Sequence, residues 1–346
     1  MTMADVTVMG AGVFGLSVAY ACAKRGATVQ VIDPKGVASG ASGGIVGALA
    51  PHVPENWNAK KAFQFESLIM AESFWAEVAA ESGLPTGYAR SGRLQPLTDE
   101  AAVSLARARA VTAHTLWQGK ATWEVVPADG LGPWAPPSPT GLCVHDTLSA
   151  LIHPRLATEA LAAATVSLGG VIVGAGDLAG TVVWATGWEG LAEISAQHSR
   201  LVGGGVKGQA ILVNHDAAGA PQLFADTLHF VPHLDGTVAI GSTSERDFDQ
   251  ADIVDDQVDA LYARAIAAMP ELADAPVLTR WAGVRPRTRS RAPMLGRHPF
   301  REGAFISNGG FKIGFGMAPK VGQVMADLIL EGRDAIPEDF LPDASL

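Results

Sequence analysis

Gly10, Gly12 and Gly15 stand at the spacing Gly-x-Gly-x-x-Gly directly after the apolar run Asp5-Val6-Thr7-Val8-Met9. That pattern fits the binding of a dinucleotide pyrophosphate. Gly10 permits a tight turn, Gly12 lets the backbone approach the phosphates, and Gly15 lets the next helix pack closely on the strand. Val13 and Phe14 lie within the motif that opens the helix, whose N-terminus faces the phosphates with unpaired N–H groups. Asp33, followed by Pro34, ends a second β-branched run about 20 residues further on, where a carboxylate can accept hydrogen bonds from a ribose diol. No arginine directly follows Asp33, which argues against a 2′-phosphate and hence against NADP.

The elements that must hold these residues read as strand (5–9), turn, alanine-rich helix (16–24) closed by Gly26, and strand (27–32). The cofactor is NAD or FAD on this evidence alone. The next segment, 36–45, is a run of small residues with Ala41, Ser42, Gly43 and Gly44 at its centre. Such a run can pass close to a large planar ligand and offer it N–H groups and hydroxyls. An NAD enzyme has no need of it there, so FAD is preferred. Further along, a strand at 181–184 ends in Ala185-Thr186-Gly187. A hairpin over 229–241 turns at Asp235-Gly236, a strong hairpin signal between alternating runs. Residues 255–269 read as an amphipathic helix with Val258, Leu261, Tyr262, Ala265, Ile266 and Met269 on its core face. The last strand, 304–308, runs into the turn Gly309-Gly310-Phe311-Lys312-Ile313-Gly314 and then a helix at 317–330.

Composition narrows the function classes. The chain has 346 residues, 48% hydrophobic and 17% charged, which excludes a disordered chain. Its net charge of −10 is a poor match for nucleic acid. No apolar run is long enough to span a bilayer. The N-terminus has no basic region ahead of its apolar run, so a cytoplasmic location is expected. Cys22 and Cys143 are far apart, in no metal-ligand spacing, and no metal site is expected.

Residues 6–51 resemble the D-amino-acid oxidase (DAO) family of FAD-dependent oxidoreductases, in particular its glycine oxidase and sarcosine oxidase branches. The resemblance rests on the glycine motif, Asp33, Ala41-Ser42-Gly43-Gly44 and the continuation Ala48-Leu49-Ala50-Pro51. It extends through Ala185-Thr186-Gly187, which is similar to a second glycine signature of flavoproteins, and through Val206-Lys207-Gly208-Gln209. Trp281-Ala282-Gly283-Val284-Arg285-Pro286 is similar to a glycine oxidase segment whose arginine pairs with the substrate carboxylate, so the resemblance assigns that role to Arg285. A planar guanidinium grips a carboxylate through two parallel hydrogen bonds. The turn with Gly310, Phe311, Lys312, Ile313 and Gly314 matches the family's turn beside the flavin pyrimidine ring. Lys312 stands where glycine oxidases carry arginine, keeping the charge and losing the fork.

The chain also departs from the family. Where glycine oxidases carry a substrate-site tyrosine, this chain has His229. His52 is a second candidate pocket residue. No cysteine lies in the last third, so the FAD is expected to be non-covalent. The proline-rich segment 127–141 is expected to border the site. The expected fold is α/β: a discontinuous Rossmann-type FAD domain (1–80, 152–194, 283–346) and a substrate domain with a mainly antiparallel sheet (81–151, 195–282). The resemblance implies oxidation of the C–N bond of a small amino acid or amine bearing a carboxylate. A hydride passes to the flavin, the imine hydrolyses, and O2 reoxidises the cofactor to give H2O2. A same-family dehydrogenase using a quinone and a non-catalytic flavin-binding partner protein are the alternatives, with an NAD dehydrogenase last. A homo-oligomer is compatible with all of these.

Overall fold

The protein, analysed as a computed structural model describing residues 4–346, is built around two large sheets. Strand Val6–Met9 is the centre of the first. It pairs in parallel with Val29–Ile32 on one side and with Thr181–Trp184 on the other. A strand enclosed on both flanks and covered on both faces reads as a continuous apolar run, and Val6, Thr7 and Val8 are all buried. Val171–Val173 extends one edge of this six-stranded sheet, and Phe305–Asn308 with antiparallel Met294–Arg297 extends the other. Helix Val13–Ala23 packs against Ala59–Ser82, Pro154–Ser167 and Gly314–Glu331 in one hydrophobic core. All of Val13–Ala23 except Ala21 is buried, which is why it carries no polar stripe.

The second sheet has eight strands in the order Val277–Thr288, Gly203–Asn214, Thr237–Gly241, Leu228–Pro232, Gln222–Ala225, Arg93–Pro96, Leu142–Asp146 and Trp123–Pro127. All neighbours are antiparallel except Gln222–Ala225 with Arg93–Pro96. The Asp235-Gly236 hairpin forms as expected, with Phe230 opposite Ile240. Helix Gln257–Ala268 covers this sheet. Val258, Leu261, Ala265 and Met269 are buried against Ile211, Val213, Phe230 and Ile240, while Tyr262 and Ile266 sit at the edge of that core. No helix among the described residues is long and apolar enough to cross a membrane.

Three boundaries differ from expectation. The first helix begins at Val13, directly on Gly12, because the glycine turn itself is its N-terminus. The expected limit at 283 falls inside strand Val277–Thr288, which pairs in unbroken register with Gly203–Asn214 from Thr288 opposite Gly203 to Thr279 opposite Leu212. The limit at 80 likewise falls inside helix Ala59–Ser82, which ends at Gly83 in the left-handed conformation.

The glycine turn is sterically closed. Gly10 adopts φ +109°, and a methyl there would collide with the Ala185 carbonyl. A methyl at Gly15 would collide with the Gly10 carbonyl and lie 3.1 Å from Ala185 Cβ. Helix propensity favours alanine over glycine by roughly 1 kcal/mol, whereas overpacking costs roughly 1–3 kcal/mol. Gly15→Ala is therefore expected to lower the thermal midpoint and weaken FAD retention. An unchanged or raised midpoint in calorimetry would show that the helix simply moves away.

Candidate active site

A cavity of about 1040 Å³ lies between the two sheets. That is the upper end of the range for cofactor sites. Its walls bring together Gly10, Gly12, Val13, Phe14, Asp33, Pro34, Ala41, Ser42, Gly44, Ala185, Thr186, Gly187, Gly310, Phe311, Lys312 and Gly314, drawn from three distant segments. Three predicted cofactor residues do not line it. Gly15 lies beneath the turn, Gly43 lies under the Ala38 carbonyl, and Ile313 faces a smaller adjoining cavity.

Local chemistry explains the arrangement at the glycine turn. The Ser42 hydroxyl accepts the Val13 N–H at 2.9 Å, satisfying one of the unpaired donors of the helix start. Asp33 accepts the Ala11 N–H at 2.8 Å and the Lys35 N–H at 2.9 Å, one on each oxygen. Each oxygen keeps a lone pair for a diol. Gly187 lines the cavity, yet a Cβ there would meet no protein atom within 4 Å. The helix N-terminus, the small-residue run and the bare strand end together form a cradle that fits a flavin dinucleotide. Neither cysteine lines the cavity; both thiols are buried, and burial pushes the Cys22 thiol up to about 12.

At the other end stand Arg285, Lys312 and His229. Arg285 comes from strand Val277–Thr288, opposite Val206. Its Nη1 donates to Ser242 Oγ at 2.6 Å, its Nη2 to the Lys207 and Thr243 carbonyls at 3.0 and 2.8 Å, and its Nε to the Val206 carbonyl at 3.4 Å. A guanidinium has five N–H donors, so the two-bond grip expected of Arg285 does not have its donors free. One Nη1 hydrogen is left for a ligand. Phe311 ties this strand to the glycine-rich turn. Its N–H donates to the Pro286 carbonyl at 3.1 Å, and Arg285 and Arg287 each lie 5.5 Å from its ring centroid, with Lys312 at 5.9 Å. Burial, and then Arg285 and Arg287, lower the Lys312 pKa. Burial also lowers Arg285 to about 10, still charged at neutral pH. Neither cation makes an ion pair among the described residues.

The smaller cavity, about 190 Å³, shares Ala48, Leu49, Phe224, His229 and Lys312 with the large one. Its other walls include Arg93, Gln64, Ala50 and His52. His52 is held by Gln64, whose carbonyl also accepts the His52 N–H at 2.7 Å, while the Gln64 amide donates to the Ala50 carbonyl at 3.1 Å. His229 packs on Phe224 with ring centroids 4.8 Å apart, and its Nδ1 is buried without a partner. The proline-rich segment 127–141 lines neither cavity. Its Trp134 is buried in the second core and donates to the Pro221 carbonyl at 2.8 Å. Sequence reading missed Arg93, Gln64, Phe224, Ser242 and Trp281. Only Trp281 had a local signal, standing beside the arginine motif.

The buried histidines set an acid limit on stability. Burial, with Arg93 and Lys312 nearby, lowers His229 to about 3, and burial beside His153 lowers His233 to about 4. Both are neutral when folded and protonate near 6.5 when unfolded. The unfolded chain thus binds more protons below pH 6.5, and stability falls as pH falls towards the folded values. Between pH 7.5 and 5.5 urea unfolding is expected to lose about 1.4 kcal/mol per such histidine. His229→Gln should recover about that share; equal pH slopes in the two proteins would refute the burial of a neutral ring.

Comparison with known proteins places the chain in a family. Residues 5–328 match the DAO family of FAD-dependent oxidoreductases. Glycine oxidase of Geobacillus kaustophilus is 27% identical over 94% of this chain and 92% of its own length. The crystal structure of glycine oxidase from that organism superposes with a TM-score of 0.83 at 23% identity, over 98% of each chain. Iminodiacetate oxidase from Chelativorans sp. BNC1 superposes at 0.85 with 21% identity, over 97% of this chain and 98% of its own. With the cradle and the family match in agreement, the chain belongs to the DAO family of FAD-dependent oxidoreductases.

Proposed function

We propose that the protein oxidises the C–N bond of a small amino acid or amine bearing a carboxylate, in the manner of a glycine oxidase. The observation that carries this reading is the pair of cationic heads, Arg285 and Lys312, that stand without an ion pair in the wall of the dinucleotide cavity. Bound FAD supplies the two-electron acceptor for a hydride from the carbon bearing the amine, and O2 restores it with release of H2O2. The substrate C–N single bond becomes an imine, which water hydrolyses.

The chain's own residues hold and orient the substrate. The Lys312 ammonium and the remaining Arg285 N–H meet the carboxylate. Arg285, fixed by Ser242 and three carbonyls, is a rigid donor that loses little entropy on binding. His229 is neutral at physiological pH, so it offers hydrogen bonds without attracting a carboxylate by charge. The same cations disfavour an ammonium on the substrate, which favours the neutral amine that can release a hydride.

Anaerobic mixing with a panel of amines and amino acids is expected to bleach the flavin, and aerobic turnover to yield one H2O2 per amine oxidised. Bleaching with no peroxide and fast dye reduction would instead identify a dehydrogenase; no bleaching by any amine would leave a non-catalytic flavoprotein. Arg285→Ala is expected to raise KM by about two orders of magnitude, the cost of breaking a buried charged contact. Lys312→Met should raise it by roughly tenfold or more. An unchanged KM in both would remove the carboxylate anchor.

A further inference from the structure

The smaller cavity is not explained by a glycine-sized substrate. It opens off the wall that carries Lys312 and His229, and its lining contains two cations, Arg93 and Lys312, and no aspartate or glutamate. At about 190 Å³ it holds several times what one water molecule needs. We propose that the substrate carries a second carboxylate, which enters this side cavity and is held by Arg93 and Lys312; the inference rests on the amino-acid oxidase reading above.

Arg93 is prepared for such a ligand. It is buried at the start of strand Arg93–Pro96 and anchored through Nε to Asp146 Oδ2 at 2.9 Å. Asp146 is itself fully buried and fixed by the Ser149 N–H at 2.8 Å and the Ser149 hydroxyl at 3.0 Å. Only the Nε side is engaged. The terminal nitrogens of Arg93 make no hydrogen bond to protein among the described residues, and they form the pair that matches a carboxylate in plane. Those nitrogens lack a protein acceptor among the described residues and belong to a side chain that lines the cavity, so a carboxylate there can supply one.

The charge balance points the same way. Asp146 offsets Arg93, but nothing offsets Lys312, which has no ion pair among the described residues. A substrate with one carboxylate, met by Arg285 and Lys312, leaves the Arg93 end of the side cavity without an anion. A dicarboxylate can neutralise both ends, one group near Arg285 and the other beside Arg93, with Lys312 between. Ala48 and Ala50 keep the passage open, since their side chains end at Cβ. His229 lines both cavities and so stands at their junction.

Anaerobic flavin reduction with glycine, sarcosine and D-alanine should be compared with iminodiacetate, D-aspartate and D-glutamate. At least one dicarboxylate is expected to exceed every monocarboxylate by about tenfold or more in kcat/KM, the worth of one charge-assisted contact pair. Arg93→Lys keeps the charge beside Asp146 and loses the fork, so it should cost the dicarboxylate about tenfold through KM and leave glycine within about twofold. Ala50→Leu fills the cavity without touching the ion pair and should do the same. Binding is read separately from turnover: malonate is expected to perturb the flavin absorption of the holoprotein at lower concentration than acetate, and Arg93→Lys to remove that difference. Reduction by glycine with no dicarboxylate preference, or equal losses for both classes in both variants, would overturn the second subsite and leave the oxidase reading intact. Malonate still bound more tightly than acetate, with no amine of either class reducing the flavin, would overturn the oxidase reading instead.

Discussion

The site depends on one contact between backbones, that of Gly10 with the Ala185 carbonyl. Two parallel strands, Val6–Met9 and Thr181–Trp184, end side by side, and Ala185 N–H donates to the Met9 carbonyl at 2.8 Å. Any side chain at Gly10 would push those ends apart. Because they meet, the helix that starts at Val13 begins directly over the junction, and its free N–H groups face the same space as the bare Gly187. The run of small residues then closes the cradle through Ser42, which binds the helix start it approaches. The shape of the cradle follows from packing at this point.

The Arg285 end of the cavity is held by a different device. Two long strands, Gly203–Asn214 and Val277–Thr288, run antiparallel and carry Arg285 to the cavity. Behind that pair, buried Lys207 meets Asp255 at 3.0 Å and Glu245 at 3.7 Å, and Gln209 bonds to both acids at 2.7 and 3.1 Å. The acids keep the region near neutral while the cations point inward, so the cavity senses Arg285 and Lys312 above the average charge of the chain. Three cations within 6 Å of the Phe311 ring would repel each other strongly in a dry medium. The ring face and the single backbone bond to Pro286 offset part of that repulsion; an anionic substrate would offset more.

What was legible in the sequence was what is local. The glycine turn, Asp33, the Asp235-Gly236 hairpin and the amphipathic helix near 258 each depend on residues within one or two elements, and each stands where its pattern places it. The strands of each sheet come from separate stretches of the chain. The limits of the segments were not legible. Strand Val277–Thr288 continues past the arginine motif because its partner, Gly203–Asn214, is as long, and no residue near 283 announces that. Arg93 was invisible for the same reason. Its meaning lies in Asp146 and Lys312, which are far away in the chain. The fork expected of Arg285 was misjudged because its acceptors, Ser242 and the carbonyls of 206, 207 and 243, come from other strands.

A division of labour follows from where rigidity lies. The cofactor cradle is made largely of backbone, with the Ser42 hydroxyl and the Asp33 carboxylate bonded to it. The wall of the smaller cavity is made of side chains that meet from separate segments: His229 from a hairpin strand, Lys312 from the last turn, Arg93 from a distant strand, Ala50 from the segment after the small-residue run. Each can change without moving the glycine turn. A single exchange of a small residue for a large one would close the side cavity; a cation introduced or lost there would change which acids are accepted. The net charge of −10 is therefore a poor guide to the ligand. Cations held inside a mostly apolar wall act in a lower dielectric than the chain's surface charges, so a single charge gained or lost there counts for more.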